Sequence, residues 1–298
     1  MARVSTRHRT LQIHGDGRRR ERIEHLAGEE PLEVRVNGRS LAVTMRTPGH
    51  DFDLAAGFLV AETVVHERAQ IARLSYGPGV DEHGQATYNI VDVTLAPGVA
   101  PPAANAERAV YTSSSCGICG TSSIEEVTKE SAFPSPDDGP SVGGRLAPEM
   151  LLALPEALRA GQAQFERTGG THAAGLFTTE AELLCLREDV GRHNAVDKIV
   201  GWALLSGQLP VRSTVLQVSG RASFELVQKA HLAGIETLAA VSAPSALAVE
   251  LAQESGMTLI GFSRGIGSPS MRERNGSPSS RARRAGGRGG PANPAYRR

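Results

Sequence analysis

Between residues 173 and 262 the chain alternates short apolar runs with longer segments whose apolar positions recur at helical spacing. Strands are predicted at 173–178, 182–187, 213–218, 237–241 and 258–262, and helices at 194–205, 223–233 and 244–255. Strands that alternate with helices of this length form a largely parallel or mixed sheet with helices on its faces. Right-handed crossovers then gather the strand C-terminal ends on one rim, where such sheets bind ligands.

The rest of the chain divides around this block. Residues 1–30 show no sustained periodicity and are expected to be a disordered lead. Residues 31–105 are expected to form a small α+β domain. Its opening run, 32–45, alternates apolar and polar residues about Asn37-Gly38, the signal of a tight hairpin. A helix capped by Asp51 is predicted over 51–65, strands at 71–76 and 88–95, and a proline-rich connector over 96–105. Residues 106–265 make the larger α/β domain, with a short helix at 124–130, a loop over 133–144 and a helix at 148–160 ahead of the alternating block.

From residue 266 the pattern collapses into Gly, Ser, Pro, Ala and Arg, which cannot bury a core. Residues 266–298 are therefore expected to be a disordered basic tail, with eight arginines against one acid, Glu273. The formal charge is zero, so the remainder holds 24 basic and 31 acidic residues. A basic tail on an acidic body suits RNA or anionic surfaces. Its composition reads first as a solvated extension, so neither a nucleic acid nor a membrane partner is expected. No run approaches the roughly 18 apolar residues of a membrane span. The polar, basic N-terminus lacks the apolar core of a secretory signal, so a cytoplasmic location is expected.

Three cysteines in 298 residues argue against a disulfide framework. Cys116 and Cys119 lie in Ser113-Ser-Ser-Cys-Gly-Ile-Cys-Gly120, among hydroxyls and glycines. That setting favours an exposed, reactive thiolate over a buried structural thiol. A Cys-x-x-Cys pair alone fits zinc ligation, thiol redox chemistry, sulfur relay or a structural role. Zinc needs two further ligands, and no second Cys-x-x-Cys exists. Cys185 is flanked by leucines in a predicted strand and reads as core. His172 lies far along the chain from Cys119 and gives no zinc signature.

Three further segments fall on predicted strand–loop junctions. Gly169-Gly-Thr-His-Ala-Ala-Gly175 places His172 where a glycine loop enters a strand, and a lone histidine there reads first as structural. Arg187-Glu-Asp-Val-Gly-Arg-His-Asn-Ala-Val-Asp-Lys198 crosses a strand-to-helix turn. Asp189 and Asn194 suit turn and cap geometry there, and Arg192 and His193 at a helix N-terminus suit an anion. Ser219-Gly-Arg-Ala-Ser-Phe-Glu225 repeats the arrangement after the next predicted helix and strand, with Arg221 as its cation. Two such turns on neighbouring strands would clamp a phosphate-bearing ligand.

These segments in this order resemble the FdhD family of formate dehydrogenase accessory sulfurtransferases. The resemblance covers roughly 32–265 and includes Ser242-Ala-Pro-Ser-Ala-Leu-Ala248. It implies a catalytic domain similar to the cytidine deaminase fold: a mixed sheet flanked by helices, with a smaller N-terminal α+β part. It implies a sulfur carrier that takes persulfide sulfur from a cysteine desulfurase. The acceptor is the molybdenum bis(molybdopterin guanine dinucleotide) cofactor, before that cofactor enters the formate dehydrogenase apoenzyme. By the same resemblance Cys116 carries the persulfide, Cys119 assists, and the protein is a homodimer; no zinc is expected, since the further ligands are missing. The family's cofactor-binding stretch falls on Phe262, Ser263, Arg264, Gly265, Ile266 and Gly267.

A zinc deaminase, the rival on a related fold, needs His-x-Glu ahead of Pro-Cys-x-x-Cys. Here the cysteines precede His172, Ala-Ala follows it, and no proline precedes Cys116. The remaining alternative is a non-catalytic chaperone whose cysteines only grip the molybdenum cofactor. The chain departs from its relatives after Gly265, where the Arg/Gly/Ser/Pro tail replaces a short basic-aromatic ending.

Overall fold

The computed structural model describes residues 4–80, 84, 86–102, 129–133 and 146–264. A ribbon comes first. Strands β1 (Ser5–Ile13) and β2 (Arg19–Ala27) pair antiparallel, Ser5 opposite Ala27 and Ile13 opposite Arg19. This corrects the expected disordered lead over 1–30. The ribbon turns at Asp16-Gly17, where Gly17 takes a positive φ of 82° and the Asp16 carboxylate accepts from the Arg18 amide. Because the ribbon is mostly exposed, apolar–polar alternation, the cue on which strand prediction rests, is confined to Leu11-Gln12-Ile13 and gives no sustained signal.

Next come β3 (Glu30–Val36) and β4 (Arg39–Arg46), hinged at Asn37-Gly38. Both hinge residues have positive φ, 50° and 79°, as a primed hairpin turn requires. With β5 (Ile71–Tyr76) and β6 (Ile90–Leu95) they form a sheet of order β4-β3-β6-β5. Helix α1 (Asp51–Ala61) ends four residues earlier than the predicted 65, and Thr63 takes a positive φ of 58° just beyond it.

Helices α2 (Pro148–Gly161) and α3 (Ala163–Thr168) lead into the larger sheet. Its strands are β7 (His172–Thr178), β8 (Leu183–Asp189), β9 (Thr214–Val218), β10 (Thr237–Ala240) and β11 (Thr258–Ile260). The order is β11-β10-β9-β7-β8; β9, β10 and β11 run parallel, and β7 is antiparallel to both neighbours. Helices α4 (Arg192–Leu205), α5 (Phe224–Leu232) and α6 (Ala246–Glu254) fill the connections, as the alternation predicts. The result is the expected mixed sheet flanked by helices. The predicted loop at 133–144 and the tail at 266–298 lie outside the described residues, apart from Phe133. So does the predicted helix at 124–130, apart from Lys129 and Glu130, which are not helical.

Alternation along the strands divides the core. Ala174, Leu176, Leu216, Val218, Leu238 and Ala240 face α4, α5 and α6, and the same apolar body continues through α1 to Leu32, Val34, Val91 and Val93. The opposite sheet face packs Ala173, Phe177, Val215, Ala239 and Ile260 against Leu154 and Leu158 of α2. One continuous core thus joins the two larger sheets. It closes where α1 crosses α4: a Cβ on Gly57 would lie 1.9 Å from the Asp197 carbonyl oxygen, and one on Gly201 would lie 1.8 Å from that of Asp53. The backbones touch there, so only glycine fits.

Candidate functional site

Register gathers the three sequence motifs on one rim. His172 opens β7 directly opposite Asp189, the last residue of β8. On its other side, Ala174 pairs with Val218, so His172 meets Gly220 beyond the end of β9. A Cβ on Gly220 would lie 3.7 Å from His172 Nδ1. Ser219 locks the junction: its amide donates to the Ala173 carbonyl at 3.0 Å and its Oγ accepts from the Ala173 amide at 2.9 Å. The turns are not on neighbouring strands as expected, because β7 lies between β8 and β9. Since β7 opposes both, β8 and β9 still end on the same side.

Further strand ends join by backbone bonds. The Ser242 amide donates to the Gly220 carbonyl, the Phe262 amide to the Ser242 carbonyl, and the Ser263 amide to the Ala240 carbonyl. Phe262 holds a φ of +54°, a left-handed conformation that is rare for a bulky residue and gathers at functional sites.

Each predicted site residue has a distinct setting. Arg192, the first residue of α4, is half-buried, while Arg221 and Arg264 are exposed. His193 is turned inward, 3% exposed, with Nε2 3.8 Å from Glu225 Oε2 and 3.5 Å from Ser223 Oγ. It therefore ties the start of α4 to the start of α5. The bond to His193 holds the Glu225 carboxyl down at about 2, against the opposing effect of burial. Ser263 is buried: its Oγ accepts from Gln217 Nε2 at 3.2 Å and stands 3.3 Å from Gln217 Oε1. Cys116, Cys119, Gly265, Ile266 and Gly267 lie outside the described residues.

The acidic end of the second motif is structural. Asp189 accepts from the Gly191 amide at 2.8 Å, Asn194 Nδ2 at 3.0 Å and the Thr47 amide at 3.1 Å, and pairs with Lys198 Nζ at 2.8 Å. Lys198 also donates to the Thr47 carbonyl at 2.9 Å, and Asn194 to that of Met45 at 2.7 Å. All of Asp189, Asn194 and Lys198 are buried, so the cluster straps the 45–47 segment onto α4. Glu188 accepts from the amides of Gln164 and Phe165, both at 2.7 Å, and so caps the start of α3. Cys185 is buried in β8, and burial pushes its thiol up to about 11.

A lone histidine at such a junction reads first as structural, yet His172 stands between the ends of β8 and β9 on the rim. Burial first, then the nearby Arg192 and His193, lower its pKa, which favours the neutral imidazole near pH 7. The rim thus combines a neutral imidazole with Arg192, Arg221 and Arg264 and with the N-termini of α4 and α5, a set that suits an anionic ligand.

A model of the FdhD/NarQ family matches residues 27–270. The chain belongs to this family. Among FdhD relatives, the "Sulfur carrier protein FdhD" of Streptomyces avermitilis is 58% identical over 265 residues, covering 89% of this chain and 93% of its own. The protein of the same name from Mycobacterium tuberculosis is 54% identical over 247 residues, covering 82% of this chain and 88% of its own. The fold is similar to the crystal structure of a candidate formate dehydrogenase accessory protein from Desulfotalea psychrophila. That match has a TM-score of 0.68 at 24% identity, and covers 88% of this chain and 94% of the other. Among the described residues of the FdhD/NarQ chain, no helix is long and apolar enough to cross a membrane.

Proposed function

We propose that this chain is a cytoplasmic sulfur carrier that works as a sulfurtransferase for formate dehydrogenase. The supporting observation is the single rim on which the His172, Arg192 and Arg221 segments meet, in a chain 58% identical to a protein named as a sulfur carrier. In the first step the Cys116 thiolate attacks the terminal sulfur of a persulfide on a cysteine desulfurase. A Cys116–S–SH forms and the donor cysteine leaves as its thiolate.

The acceptor is the molybdenum bis(molybdopterin guanine dinucleotide) cofactor, whose phosphates suit Arg192, Arg221 and Arg264 and the helix N-termini of the rim. The S–S bond breaks with its electron pair returning to Cys116. The sulfur atom reaches molybdenum as sulfide, with the metal oxidised by two electrons. Cys119 assists, and an oxidised Cys116–Cys119 disulfide lies off the pathway. The carrier acts as a homodimer and hands the sulfurated cofactor to the formate dehydrogenase apoenzyme.

Mass spectrometry after incubation with a cysteine desulfurase and free cysteine tests this reading. Persulfidation adds about 32 Da, one sulfur atom. The adduct is expected on the native chain and lost in Cys116→Ala. An adduct that survives that substitution overturns the assignment. No adduct on the native chain would favour the chaperone reading, in which the rim grips the cofactor and no sulfur moves.

A further inference from the structure

Most of the β1–β2 ribbon precedes residue 27, where the family match begins, and among the described residues no third strand pairs with it. A lone two-stranded ribbon is marginally stable in water, and its open edges invite pairing. On one face Arg7, Arg9, Leu11 and Ile13 stand opposite His25, Ile23, Glu21 and Arg19. Leu11, Ile13 and Ile23 on that face are 53%, 64% and 59% exposed. Residues 1–27 carry seven arginines against three acids, whereas 28–265 carry 17 cations against 28 acids. The ribbon is thus an apolar, cationic arm on an anionic body.

The larger sheet has a complementary edge. Among the described residues strand β8 pairs only with β7, and Leu183 and Leu184 at its start are 44% and 43% exposed. Exposed Glu180 and Glu182 flank them. The ribbon is rooted close by: a Cβ on Gly170 would lie 3.2 Å from Ala27 Cβ, just after α3, which Glu188 of β8 caps.

We infer that the β1–β2 ribbon of one copy docks against the β8 edge of a second copy, its arginines on Glu180 and Glu182 and its apolar face on Leu183 and Leu184. Two ribbons would repel each other by charge, which leaves the acid-flanked edge as the acceptor. Because each copy offers both surfaces, a twofold exchange closes the pair. The inference rests on the homodimer reading above and names its surface.

Sedimentation equilibrium of the full chain at low and high salt tests it, with circular dichroism to show that each variant folds. The native chain is expected to dimerise and to loosen in high salt. The ribbon variant Arg9→Glu/Arg19→Glu should weaken the dimer about tenfold or more, and so should Glu180→Arg/Glu182→Arg. Combining all four substitutions should restore association. A monomeric native chain would overturn both this inference and the homodimer reading. A dimer indifferent to either variant, or not restored in the combination, would overturn the docking surface alone.

Discussion

Replacing Gly201 by alanine sets two well-known tendencies against each other. Alanine is the better helix former by about 1 kcal/mol, so propensity alone predicts stabilisation of α4. The crossing with α1 predicts the reverse. The new Cβ would lie 1.8 Å from the Asp53 carbonyl oxygen and 2.7 Å from the Gly57 amide nitrogen, where real contacts are at least 3.0 Å. The helices must part by more than about 1 Å, and a gap of that size forfeits roughly a quarter to a half of each dispersion contact. Both obstacles are backbone and cannot rotate aside, so the cost falls near the upper end of overpacking, about 3 kcal/mol. Net of propensity, a loss of about 2 kcal/mol remains. At about 2–4 °C per kcal/mol for a chain of this size, Tm should fall by roughly 4–8 °C. Thermal unfolding followed by circular dichroism measures this directly. Gly57→Ala should behave alike, and the double variant should cost less than the sum, because the first substitution already opens the crossing. A Gly201→Ala protein that melts at or above the native temperature would refute the argument.

Three other predictions concern charge and thiols. Glu225 has a folded pKa of about 2, below its ordinary 4.5, so its contribution to stability is present above about pH 4.5 and disappears as pH falls toward 2. Glu225→Gln should therefore lose of order 2 kcal/mol at pH 6, the difference in melting temperature should shrink as pH falls below about 4.5, and the two should converge only below about pH 2. Lys198→Met strands the buried Asp189 carboxylate and should cost about 3–5 kcal/mol in urea unfolding, while Lys198→Met/Asp189→Asn should recover part of the loss. The Cys185 thiol, pushed up to about 11 by burial, should resist iodoacetamide at about pH 8 in the folded chain and react fully in urea; peptide mapping distinguishes it from Cys116 and Cys119.

What could be read from the sequence was whatever local chemistry fixes. Asn37-Gly38 dictates a primed turn wherever it falls, and the alternation over 173–262 survives because its central strands β7, β9 and β10 are buried on both faces. The exposed, charge-rich ribbon over 5–27 has no sustained signature of that kind. Helix α3 was missed for another reason: it is six residues long, and its capping carboxylate, Glu188, comes from a distant strand. At the rim, the motifs announced which residues would meet, but not which way they turn. Nothing local distinguishes His193, which closes inward on Glu225, from Arg192 beside it. Nor does sequence show that Ser263 is taken by Gln217, 46 residues earlier.

The strap over Asp189 bears on how such a chain can change through evolution. Thr47 donates its amide to Asp189 and its carbonyl receives Lys198, while the carbonyl of Met45 receives Asn194. Cutting the gene between the two larger sheets would therefore free no self-sufficient part. The downstream piece would expose a helix, α4, that is buried on nearly every side, together with a lysine and an asparagine stripped of their carbonyl partners. Neither sheet is a transplantable module. Insertions are best tolerated at exposed segments outside this strap, such as the turn of the β1–β2 ribbon.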